Sequence, residues 1–328
     1  MSSTLKSATI PAFEDESDRL GLLDFRNGIS EDPLQIMSSW NDSTHFCNWF
    51  GVTCSPSTKR VMVLNLQAQR LSGSITPSIG NLTYLTGINL RNNSIYGEIP
   101  QQVGRLRRLQ HLNLSYNSFR GNLPTNLSHC TSLRVLDVRS NKLVGQIPEQ
   151  YSSLSKLVSL RLGANNLTGT IPAWIGNFSS LSFLTLTQNN LQGSIPSELG
   201  HLSSLGMLVL YGNNLSGTIP PMIYNISSIF YFSVTQNQLH GSLPPDVGLT
   251  LPNLEIFAGG VNSFTGPIPA SLSKASRLQV LDFAQNGLTG SVPQNLARLS
   301  GLVRLNFDDN RLGNGKKESS FICETSCT

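Results

Sequence analysis

One pattern, L-x-x-L-x-L-x-x-N-x-L-x-G-x-I-P, recurs along the chain from about Val61 onward. Its asparagine falls at Asn93, Asn117, Asn141, Asn165, Asn189, Asn213, Asn237, Asn262, Asn286 and Asn310. Eight of the nine spacings are 24 residues, and one, Asn237 to Asn262, is 25. Gln69 holds the same place one period earlier, which makes eleven repeats. A glycine follows four residues later, from Gly73 to Gly290, and a proline three after that, from Pro100 to Pro293. No repeat of this length can bury its own apolar face. Neighbours must therefore stack, and the two ends of the stack need caps.

The pattern is that of a leucine-rich-repeat solenoid. In L-x-L, as in Leu112-Asn113-Leu114, alternate residues face opposite ways, so the segment reads as a short strand with one buried face. The expected fold is a right-handed superhelix whose strands stack in parallel into a concave sheet, behind an N-terminal helical cap. The Asn turns inward to satisfy backbone groups. The Gly permits a bend, and the Ile-Pro segment favours an extended convex run.

This divides the chain into a leader at 1–16, a cap at 17–60, repeats at 61–314 and an irregular tail at 315–328. Ser17 to Ile29 reads as a short amphipathic helix with Leu20, Leu23 and Phe25 available for burial, preceded by acidic Glu14, Asp15 and Glu16. Cys47 and Cys54 lie close enough for a local disulfide and flank Trp49; two reduced, buried thiols are the alternative. A zinc site would need two more ligands, and only His45 is near. Cys323 and Cys327 either pair as a small terminal cap or mark the end of an interrupted frame. Cys130 reads as a small core residue.

Composition narrows the function classes. With 39% apolar residues among 328, the chain can build a sizeable core, so wholesale disorder is excluded. A net charge of +4, with no basic run longer than Lys316-Lys317, gives no footprint for nucleic acid. No apolar stretch approaches the ~18 residues of a membrane helix. The first sixteen residues, MSSTLKSATIPAFEDE, lack the apolar core of a signal peptide. There is no H-E-x-x-H, G-x-S-x-G or kinase H-R-D and D-F-G set, and the five His residues show no metal-ligand spacing. The chain is expected to be no enzyme and to use no cofactor or metal.

A solenoid of this kind usually binds on its concave face. Six residues before the ladder position, Phe183, Met207, Tyr231, Ile256 and Val280 put five apolar residues in consecutive repeats. Val209 and Tyr211 broaden the patch, and towards the N-terminus the neighbouring columns are polar, as at Asn89, Arg91, Asp137, Arg139 and Arg161. Phe183, Met207, Val209, Tyr211, Tyr231 and Ile256 form the candidate ligand site. The alternative is a column partly buried at the strand entry in any such solenoid.

The stretches ESDRLGLLDFRNGISEDP and SSWNDSTHFCNWFGVTC, with the L-x-G-x-I-P repeats, resemble the ectodomain of a plant leucine-rich-repeat receptor-like kinase of the immune-receptor subfamily. The resemblance covers residues 14–322. It implies an extracellular or plasma-membrane ectodomain that recognises a peptide or protein in immune or developmental perception. Members of that family pair with co-receptor kinases near their C-terminal repeats, and beyond Asn310 those repeats are not present here, so no stable co-receptor complex is expected. Two alternatives are a secreted inhibitor of a pathogen cell-wall-degrading enzyme, similar to polygalacturonase-inhibiting proteins, and a non-functional truncated paralogue. Nine sequons agree with an extracellular chain. Asn81, Asn177 and Asn225 share one convex column, and with Asn126 and Asn41 they are the expected glycosylation sites; Asn113, in mid-strand, is expected to stay bare. The last repeat is expected to expose the edge of its Leu305 and Phe307 layer.

Overall fold

The structure, a computed structural model, describes residues 12–313 and 322–324. Residues 1–11, 314–321 and 325–328 lie outside the described residues, and with Cys327 so does the pairing of Cys323 and Cys327.

Every L-x-L segment is a strand. Thirteen strands form one sheet, of which eleven, from Val61–Asn65 to Arg304–Asn306, are mutually parallel, one per repeat. Each end is closed by an antiparallel partner. Val52–Cys54 pairs with Val61–Asn65 at the N-terminal end. At the other end Ile322–Glu324 pairs with Arg304–Asn306, placing Cys323 opposite Leu305. The expected open edge is modified: the chain returns along the last strand and pairs with its backbone, and Phe307 is buried, while Leu305 stays half-buried where its counterpart Leu281 is fully buried.

The ladder asparagines perform the role their period predicts. Asn165 is buried, and its Nδ2 donates to the carbonyls of Val138 (3.0 Å), Leu162 (3.0 Å) and Gly163 (3.2 Å). Its Oδ1 accepts from the amide of Leu143 at 3.0 Å. One side chain thus fastens the turn of its own repeat to the turn before it. The residue preceding each ladder position is left-handed, as at Tyr116 (φ 57°), Ala164 (φ 53°) and Val261 (φ 55°).

The convex side differs from an extended run. The L-x-G-x residues form two further parallel ladders, one of six strands and one of five that the cap strand Ile29–Glu31 joins antiparallel as a sixth. After each Ile-Pro comes one turn of 3-10 helix, such as Gln101–Arg105 or Ala173–Asn177. Proline fixes φ near the helical value, and the preceding residues leave room for a single tight turn. The 25-residue spacing has a visible consequence: its extra residue converts that turn to α-helix, Val247–Thr250.

The N-terminal cap is helix α1, Ala12–Asn27, followed by strand Ile29–Glu31, rather than a helix to Ile29. Its buried face is Asp18, Leu22 and Phe25, while Leu20 is 52% exposed and Leu23 half-buried. Residues four and three apart share a helix face, and Leu20, two residues from Asp18, points the other way. Cys47 and Cys54 form a disulfide, which settles the choice against reduced thiols. Beside it Trp40 stacks on Trp49 with ring centroids 5.4 Å apart. Asp18 docks the helix to the first repeat. Its carboxylate accepts from Arg60 Nε and Nη2, both at 2.9 Å, and from the Val61 amide at 2.8 Å. Tyr84 then lies between two guanidinium groups, Arg60 at 4.2 Å and Arg108 at 4.0 Å from its ring centroid.

Cys130 is fully buried on the convex side, as expected, and burial pushes its thiol pKa up to about 12. The folded state therefore holds this proton where the unfolded chain releases it. Stability from this group is complete below the ordinary thiol pKa of about 8.5 and is lost as pH rises through the folded value. Iodoacetamide at pH 8.5 should leave Cys130 unmodified in the native protein and label it once denaturant is added. Rapid native labelling, read by peptide mass mapping, would show that this part of the convex side opens.

Candidate functional site

The sheet brings the predicted concave residues together. Phe183 pairs with Met207, Met207 with Tyr231, Tyr231 with Ile256 and Ile256 with Val280 in unbroken parallel register. Val209, between Thr185 and Ser233, and Tyr211, two residues beyond, extend the row across the sheet. Leu184, Leu208, Phe232 and Phe257, the intervening residues, are fully buried. Strand alternation therefore separates a core face from a concave face open to solvent. The row is not fully exposed: Phe183, Met207, Tyr211, Tyr231 and Ile256 are half-buried, and Val209 is 8% exposed. Side chains on neighbouring parallel strands shield one another's flanks, leaving a ridge of apolar tips. Val209 contributes to the floor rather than to the tips.

Polar groups frame this row with their geometry already fixed. Arg161 lies over the Phe183 ring at 5.3 Å and donates through Nε to Ser159 Oγ at 2.9 Å. Arg139 makes a two-point contact with the buried Asp137, at 2.9 and 2.8 Å. The Asp137 hydrogen bond raises the guanidinium pKa further, against the opposing effect of burial. Arg91 lies 5.4 Å from the Tyr116 ring centroid. On the C-terminal side Asp282 pairs with Arg304 at 2.9 Å and accepts from Asn306 at 3.3 Å. The rim is thus cationic towards the N-terminal repeats and carries Asp282, Asp308 and Asp309 towards the other end. Groups held by internal partners keep their orientation when a ligand arrives, which lowers the ordering cost of binding.

Among the described residues no group of three or more His, Cys, Asp or Glu could hold a metal ion, and no helix is long and apolar enough to cross a membrane. The sequons behave unequally. Asn41, Asn81, Asn126, Asn177 and Asn225 are exposed, whereas Asn113 is half-buried in its strand with Oδ1 accepting from the Ser115 amide and hydroxyl. Sequence reasoning missed the Asp18–Arg60 clasp and the Tyr84 stack. A basic residue or Tyr recurring at 24-residue spacing, Arg60, Tyr84 and Arg108, was the one available signal.

Comparison with known proteins agrees with this architecture. Residues 15–55 match a leucine rich repeat N-terminal domain, and 83–143, 131–191, 155–215 and 277–299 match leucine rich repeats. The LRR receptor-like serine/threonine-protein kinase EFR of Arabidopsis thaliana is 48% identical over 94 residues, 28% of this chain and 9% of that protein. Among solved structures, PEPR1–AtPEP1 superposes with a TM-score of 0.79 at 33% identity, covering 90% of this chain and 45% of that one. The plant peptide hormone receptor RGFR1 in complex with RGF2 gives 0.73 at 34%, covering 76% and 40%. A plant ice-binding protein gives 0.77 at 29%, covering 92% of this chain and 96% of the other. The chain thus spans about a tenth of the curated relative and less than half of either receptor structure. With its capped parallel ladder and these matches, the chain belongs to the leucine-rich-repeat proteins and is similar to the ectodomains of plant receptor-like kinases.

Proposed function

We propose that this chain is an extracellular recognition module that takes an extended peptide or protein segment across its concave strands, in the manner of a receptor ectodomain serving immune or developmental perception. The observation that supports this reading is the in-register apolar row from Phe183 to Ile256 between pre-oriented polar rims. Aromatic residues and Met are the side chains that carry energy at interface centres, with polar groups around them excluding water. The four strands bearing Phe183, Met207, Tyr231 and Ile256 span about 14 Å, the reach of about four extended residues. The likeness to a peptide hormone receptor in complex with its hormone supports a peptide as the ligand class.

The test uses the full chain, immobilised and exposed to the peptide fraction of plant apoplastic fluid, with bound peptides identified by mass spectrometry. Wild type should retain a defined set of peptides, and Phe183→Asp, which places a carboxylate in the row beside Met207, should lose that set. Identical retention by both proteins would remove the concave row from ligand recognition.

A further inference from the structure

A broad groove lies on the opposite side of the solenoid, and its lining joins an aromatic platform to a sequon. The groove, of about 1180 Å³, is lined by Glu149, Pro172, Trp174, Asn177, Glu198 and Thr218 among others. Trp174 is half-buried where the other two tryptophans are sealed, Trp40 at 0% and Trp49 at 2% exposure. Its ring is held by Phe178, centroids 5.5 Å apart, and by donation from Nε1 to Glu149 Oε2 at 2.8 Å. Trp174 and Asn177 stand three residues apart on the 3-10 helix Ala173–Asn177. With three residues per turn their side chains share one side of the turn, which puts the exposed Asn177 amide on the same groove as the indole. No Lys, Arg or His lines the groove. An apolar ring with carboxylate, amide and hydroxyl acceptors around it suits a neutral pyranose, whose C–H face packs on the indole while its hydroxyls donate to Glu149 and Glu198.

We propose that Asn177 carries an N-glycan whose first sugar stacks on Trp174 and whose next residues lie along this groove. The proposal rests on the extracellular reading above. Asn177-Phe178-Ser179 is the acceptor motif. In the transfer, Asn177 Nδ2 bonds C1 of the first N-acetylglucosamine of a lipid-diphosphate-linked oligosaccharide. The C1–O bond to the diphosphate breaks, the lipid diphosphate leaves with the electron pair, and the amide loses one proton. The other sequons of this column provide internal controls, because the residue three before Asn81 is Ser78 and the one before Asn225 is Met222. The glycan at Asn177 is therefore the one held down. It covers the convex flank and leaves the concave row open.

The experiment uses the full chain secreted from plant cells behind an added signal sequence, compared with Asn177→Gln, Ser179→Ala and the control Asn81→Gln. Glycopeptide mapping reads occupancy, and acrylamide quenching of tryptophan fluorescence reads access to Trp174, the one of the three tryptophans that is not sealed. A stacked sugar shields about half of the accessible ring, so the quenching constant should roughly double in Asn177→Gln and Ser179→Ala and stay at the wild-type value in Asn81→Gln. Equal quenching with Asn177 occupied overturns the stacking. Glycan at Asn81 with none at Asn177 overturns the site while leaving the extracellular reading standing, and glycan at no sequon removes both. Protection of Trp174 by added chitin oligosaccharides in the Asn177→Gln protein, with no effect of the protein's own glycan, would overturn it in favour of a groove for foreign sugar.

Discussion

Asn165→Ala should lower stability by about 3–5 kcal/mol, because it removes four hydrogen bonds at once, and the Leu143 amide is left without its acceptor. The carbonyls of Val138, Leu162 and Gly163 lose a donor, and the Leu143 amide loses its acceptor. For a chain of this size the loss corresponds to a melting temperature about 10 °C lower. A solenoid is held by nearest-neighbour contacts, so the damage should be local. Hydrogen exchange should accelerate most in the repeats around Leu143, Leu162 and Leu167 and least near Val61. Asn190→Ala, at an exposed position adjacent to the next ladder asparagine, is the control and should change little. Equal melting temperatures for the two variants would mean that the ladder is dispensable.

Asp18→Ala should have an effect of similar size through a different cause. Arg60 is nearly buried and loses its two-point contact with the helix. Removing one member of a buried pair typically costs about 3–5 kcal/mol. The Val61 amide, at the start of the first parallel strand, is orphaned as well. The cap should therefore detach before the array melts. Trp40 and Trp49 both belong to it, so fluorescence should report an early denaturant transition that circular dichroism barely registers. A single coincident transition at the wild-type midpoint would show that the helix docks without this clasp.

Much of the fold was legible because the 24-residue period constrains each position eleven times. The strands, the inward Leu residues and the Asn ladder each follow from one repeat copied along the chain. Features that occur once were harder to read. Asp18 and Arg60 stand 42 residues apart with no spacing to link them. Leu20 and Leu23 are the leucines expected to be buried, but Leu22 takes that place because Asp18 fixes the helix phase. The returning strand Ile322–Glu324 follows a segment with no alternation to announce it. On the convex side, L-x-G-x is too short and too glycine-broken to signal a strand, yet repetition supplies each copy with a partner. The concave row was identifiable residue by residue from strand alternation. Its half-burial was not, because depth depends on how closely side chains on adjacent strands crowd one another. The Trp174 groove was invisible for a related reason: it is formed by neighbouring 3-10 turns, and an extended convex run would not place Trp174 beside Asn177.

The most direct measurement compares binding and unfolding in one protein, Tyr211→Ala/Tyr231→Ala. Both tyrosines are half-buried on the concave face, and neither phenol has a hydrogen-bond partner among the described residues. If they belong to a ligand surface, the double variant should lose the apoplastic peptides that wild type retains while its melting temperature falls by no more than about 4 °C, the equivalent of about 1–2 kcal/mol. A variant that melts more than about 10 °C lower, or that keeps every captured peptide, would contradict it, the first result assigning these side chains to the core and the second placing recognition elsewhere on the solenoid.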